Sequence, residues 1–140
     1  MILSVIQDLY NVTEHLLSLS GPAARTIAEN RRILRPHVQM FSERRDALIT
    51  KYADESGAVK QGSENWDKFI KDFTDLLNWD VDVALKKLPA DTGIDAFSCD
   101  TATVRDLDLA MEFFVEAPDV QKETATDADT NTTPVQDVSA

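Results

Sequence analysis

Apolar residues in the first stretch fall at Ile2, Ile6, Leu9, Val12, Leu16 and Leu19. Steps of three and four place all six on one face of a helix, so residues 2–19 are predicted to form an amphipathic helix. Ser20-Gly21-Pro22 then punctuates the chain. Glycine suits the left-handed position after a helix, proline suits the first turn of the next, and Ser20 is the expected N-cap. The longest periodic stretch runs from 22 to 53. Ile27, Leu34, Phe41 and Leu48 recur every seventh residue, flanked by a second row of Ala24, Arg31, Val38, Arg45 and Tyr52. This is a coiled-coil-like seam with one clean row and one row interrupted by arginine. Pro36 sits in its middle, where it removes a backbone hydrogen bond. A kinked helix, or two helices meeting near Arg35-Pro36, is the expectation.

Asp54-Glu55-Ser56-Gly57 reads as a turn. Ser63 is a good N-cap for a third helix, with Glu64 and Asp67 favouring its first turn. Trp66, Phe69, Ile70, Phe73, Leu76 and Leu77 form the apolar face of that helix. This is the richest aromatic cluster in the chain and is expected at the centre of the core. Val81-Asp82-Val83-Ala84-Leu85 alternates with the period of a half-buried strand, which would need a partner. Pro89 to Cys99 reads as a loop. Asp100-Thr101 is the expected cap of a last helix carrying Val104, Leu107, Leu109, Met111 and Phe114. From residue 117 the chain turns acidic and Thr-rich, and residues 118–140 hold no aromatic residue. Such a composition buries too little apolar area to offset its ordering entropy. The expected organisation is one helical domain over 1–116 and a disordered acidic tail over 117–140. The fold class is mainly α: a long kinked helix in an antiparallel helical hairpin or bundle, with a short β element.

Charge refines this picture. The 140 residues carry a formal net charge of -11. Such acidity argues against duplex nucleic acid as a partner, which needs a dominant basic surface. The negative charge is unevenly spread, however. Residues 22–52 hold Arg25, Arg31, Arg32, Arg35, Arg44, Arg45 and Lys51 against Glu29, Glu43 and Asp46, a local +4. Arginine is the side chain for bidentate carboxylate or phosphate contacts and for partly buried pairs. Arg31 and Arg45 fall on the seam itself. There each must find a carboxylate, reach water along its stem, or meet a bound anion. The 25 acidic residues make carboxylate pairing the favoured outcome. The alternative is an anion-binding or partner-binding cleft built from Arg31, Arg35 and Arg45, with His37, Tyr52 and Trp66 nearby.

Catalytic signatures are missing from the sequence. Four scattered glycines make no phosphate loop, and a single cysteine, Cys99, makes neither a disulfide framework nor a cysteine zinc cage. His15 and His37 lack metal-ligand spacing, and the aspartates of residues 72–82 lack the glycine and terminal glutamate of a calcium loop. The chain is expected not to be an enzyme and to need no cofactor or metal. Residues 1–19 lack a basic start and are interrupted by Asp8, Glu14 and His15, so neither a leader nor a membrane span is expected. One cysteine also fits a reducing, intracellular setting.

The order of these features resembles a family of small, mostly helical bacteriophage and prophage proteins of unknown function, carried by tailed phages of Gram-positive hosts. The resemblance rests on Leu9-Tyr10-Asn11, Ala23-Ala24-Arg25, the run Ala28-Glu29-Asn30-Arg31-Arg32, and the stretch from Arg44 to Tyr52. It continues through Trp66-Asp67-Lys68-Phe69, Leu76-Leu77-Asn78 and Val81-Asp82-Val83. Pro36 and the long acidic tail depart from the family pattern. The resemblance implies a non-enzymatic viral accessory protein in the host cytoplasm. The expected function is protein binding through a helical bundle, by a self-associating oligomer or with another phage or host protein. Two alternatives stay open: host-defence evasion by sequestering a small, anionic, nucleotide-like ligand in the arginine-lined cleft, and a virion assembly or structural role.

Overall fold

The computed structural model describes residues 1–118, so the expected tail, apart from Ala117 and Pro118, lies outside the described residues. Four helices make up most of the described residues: α1 (Leu3–His15), α2 (Pro22–Tyr52), α3 (Glu64–Leu77) and α4 (Val104–Phe113). A short 3₁₀ turn at Ile94–Phe97 precedes α4. The protein is mainly helical, and among the described residues there is no sheet, only two isolated β-bridges.

The centre of the core is α1. Leu3, Ile6, Leu9, Val12 and Leu16 are all buried. They meet Ala23, Ile27, Leu34 and Phe41 of α2, with Phe97, Ala110 and Phe114 closing the other side. Each buried leucine or phenylalanine stabilises the fold by about 1.5–3 kcal/mol. The aromatic face of α3 was expected in this position, and the structure places it at the edge. Only Leu76 of α3 is buried, where the helix comes close to α1. α3 packs chiefly on α2 and less on α1, which leaves Trp66, Phe69, Phe73 and Leu77 half-buried and Ile70 exposed.

α2 is a single helix of 31 residues, about 46 Å long at 1.5 Å per residue. It does not break at Pro36. The missing N–H orphans the Arg32 carbonyl one turn earlier, and both residues lie on the exposed face, where water satisfies it. Pro22 occupies the first turn of α2 as expected, but the N-cap is Gly21, at φ +84° and without a side-chain bond, rather than Ser20. Ser63 does cap α3, accepting from the Trp66 N–H at 3.1 Å. α4 is capped by Thr103 rather than by Asp100-Thr101. Thr103 and Asp106 exchange backbone-to-side-chain bonds in a capping box, while Thr101 donates instead to the His15 carbonyl.

Residues 81–85 keep the strand period without forming a strand. Val81, Val83 and Leu85 are half-buried and Asp82 and Ala84 are exposed, yet no ladder runs alongside. The segment is held at its ends and by one side chain. Backbone bonds join Leu3 to Trp79 and Val81 to Met1 at one end, and Leu88 to Phe114 and Glu116 at the other. Between them Asn30, fully buried on α2, donates to the Lys86 carbonyl at 2.9 Å and accepts from its N–H at 2.7 Å. The amide thereby does the work of a neighbouring strand.

Candidate functional site

Arg31 is held on three sides. Its guanidinium lies 4.4 Å from the centroid of the Tyr10 ring. It donates to the buried Thr13 hydroxyl at 3.1 Å and to Glu14 at 2.9 Å. The position that interrupts the α2 row therefore satisfies its charge by stacking and pairing with α1, as carboxylate pairing required. Arg45 lies 14 positions on, about 21 Å along the same helix, and pairs at the surface with Asp46 at 3.3 Å. Tyr52, at the end of α2, donates to the Asp72 carboxylate at 2.6 Å. Trp66 stands on α3 beside Phe69, with ring centroids 6.1 Å apart. The six residues thus divide between the two ends of α2. Arg31 and Arg35 share a hollow near α1, His37 is half-buried mid-helix, and Arg45, Tyr52 and Trp66 belong to the α3 end.

The hollow near α1 has a volume of about 260 Å³. Leu16, Leu17 and Ile27 form its apolar wall, and Arg31, Arg32 and Arg35 rim its other side. Arg32 and Arg35 make no ion pair among the described residues.

At the other end, α2 and α3 form an aromatic seam. Phe41 meets Phe73 at 6.0 Å, Phe73 stacks on Phe69 at 5.7 Å, and Trp66 continues the row. Phe69, Phe73 and Trp66 are only half-buried, and Ile70 is exposed. Beyond the end of α3, the Arg44 guanidinium covers Trp79 at 4.3 Å, leaving that indole 42% exposed. Both border a hollow of about 310 Å³ with Leu48, Asp72 and Asp75. The sequence signal for this surface was the six-residue apolar face of α3. What it did not carry was that the neighbours would leave most of the face half open.

A cleft of about 790 Å³ lies between the α1–α2 turn and the 3₁₀ turn. Cys99 borders it. Burial pushes its thiol up, but hydrogen bonds with Ser18 and Thr101 outweigh this and leave it below the usual thiol value. The thiol also donates to the His15 carbonyl at 3.5 Å, and the Thr101 hydroxyl lies 3.7 Å from the sulfur. His15 turns its ring away to pair with buried Asp106 at 2.9 Å. Among the described residues, no three His, Cys, Asp or Glu side chains gather as a metal-ligand set. None of the helices is long and apolar enough to cross a membrane.

Comparison with protein-family models, curated proteins and solved structures returned no match for this chain.

Proposed function

We propose that the chain is a non-catalytic interaction protein that pairs with a second copy of itself through the seam between the C-terminal half of α2 and α3. In this reading α2 and α3 form an antiparallel hairpin, and two hairpins complete a four-helix bundle. The observation that carries it is the α3 face: of Trp66, Phe69, Ile70, Phe73, Leu76 and Leu77, only Leu76 is buried. Half-buried aromatics beside an arginine are the composition of interface hot spots. Charge favours a second copy. The α2 half carries Arg44, Arg45 and Lys51 against Glu43 and Asp46, whereas α3 carries Glu64, Asp67, Asp72 and Asp75 against Lys68 and Lys71. A two-fold axis between hairpins sets α2 of one copy against α3 of the other, basic against acidic, at both ends of the interface. The accessory role in phage-infected host cells implied by the resemblance is part of this proposal.

The experiment uses the two tryptophans, Trp66 and Trp79, both on or beside the seam. Tryptophan emission shifts to the blue as the protein is concentrated, because pairing removes water from both rings. Ile70→Glu, a change at an exposed position, abolishes the shift and leaves helicity intact. An emission maximum independent of concentration in the native chain counts against the proposal.

A further inference from the structure

The hollow between the end of α1 and the first half of α2 is basic in an acidic chain. Three guanidinium groups converge there in a chain of net charge -11. Arg31 is already fixed by Tyr10, Thr13 and Glu14, so it presents its remaining donors at little further entropic cost. Arg32 and Arg35 are exposed and make no ion pair among the described residues. Opposite them Leu17 is 58% exposed and adds accessible apolar surface to the wall formed by Leu16 and Ile27.

Size and geometry narrow the occupant. At about 260 Å³ the hollow falls below the roughly 300–1,000 Å³ of small-molecule sites, and suits one large apolar side chain. A nucleotide would need a ring to stack its base, and the Tyr10 face is covered by Arg31. Trp66 and Tyr52 stand at the far end of α2. We propose that this hollow is a docking pocket for an acidic segment of a partner protein, which inserts a leucine or phenylalanine against Leu17 and sets its flanking carboxylates on Arg32 and Arg35. The guanidinium forks supply bidentate carboxylate contacts, and the apolar wall supplies the anchor. This surface lies apart from the α2–α3 seam, so the two proposals stand or fall separately.

The test is fluorescence anisotropy with the full chain and a short labelled peptide carrying a Leu-Phe pair between flanking acidic pairs. Saturable binding is expected at physiological salt. It weakens about tenfold or more in the Arg32→Glu/Arg35→Glu double variant and in Leu17→Asp. All three positions are exposed, and circular dichroism checks that the fold is kept. An Ala-Ala version of the peptide loses binding, because the anchor is gone. The proposal is overturned if the native chain shows no saturable binding, if the variants bind as well as it does, or if the Ala-Ala peptide binds equally. It is also overturned if ATP displaces the peptide from the pocket at similar concentrations. Loss of self-association in the double variant would assign the surface to a second copy instead.

Discussion

Asn30 shows how much one polar side chain can organise. It lies in the buried row of α2, where a helix interior ordinarily carries an apolar residue. Both ends of its amide are spent on the Lys86 backbone. Asn30→Ala leaves a peptide N–H and C=O without partners, and each unsatisfied group costs about 1–3 kcal/mol. A loss of about 2–4 kcal/mol in urea denaturation is the expected outcome. A loss below about 1 kcal/mol would mean that water replaces the amide freely.

Asp106 is the second residue on which several elements depend. Burial raises its carboxyl pKa, but the Thr103 backbone N–H and the His15 ring bond to the charged form and hold it below the usual value. A depressed folded-state pKa contributes stability that is present above the unfolded value, about 3.9, and is lost as pH falls through the folded one. The native chain is therefore expected to lose stability below about pH 4. In Asp106→Asn part of that loss disappears, because the variant is already weaker at neutral pH. Equal acid sensitivity of variant and native chain would show that other carboxylates set the transition.

At the scale of elements, Pro36 is tolerated without being required. Its ring faces water, and the helix runs on for 31 residues around it. Pro36→Ala restores the bond to the Arg32 carbonyl, and a helix-interior proline costs up to about 3 kcal/mol. A gain of about 1–2 kcal/mol is expected, the remainder being offset by the greater freedom of the unfolded chain. Destabilisation would mean that the proline ring makes a contribution to the folded state that outweighs the lost hydrogen bond.

The elements also show what periodicity does and does not contain. The face of α1, the extent of α2 and the cap of α3 were legible, because each depends on residues within one or two turns of one another. The strand reading of 81–85 failed because, among the described residues, no backbone runs alongside the segment. It is tied by bonds at its ends and by Asn30 at Lys86, and no local period announces a missing partner. The core reading of α3 failed for a related reason: an amphipathic face states that a helix needs a neighbour, not that this chain provides it. Arg31 was legible as a charge on a seam, while its Tyr10 and Thr13 partners, 18 to 21 positions earlier, depended on how α1 crosses α2.

At the scale of the molecule, the two ends of α2 differ in what covers them. One end packs against α1, whose other side carries α4, and holds nearly all of the buried side chains. The other carries α3 alone, with its aromatic row half open to water. Folding supplies the first end with its core, and in the proposed pairing a second copy supplies the second. Sedimentation equilibrium of the full chain over a wide concentration range tests this most directly. The account predicts an apparent mass that rises from one chain to two and stops there, and a single-chain mass throughout for Ile70→Glu. A single-chain mass for the native protein at every concentration would contradict it.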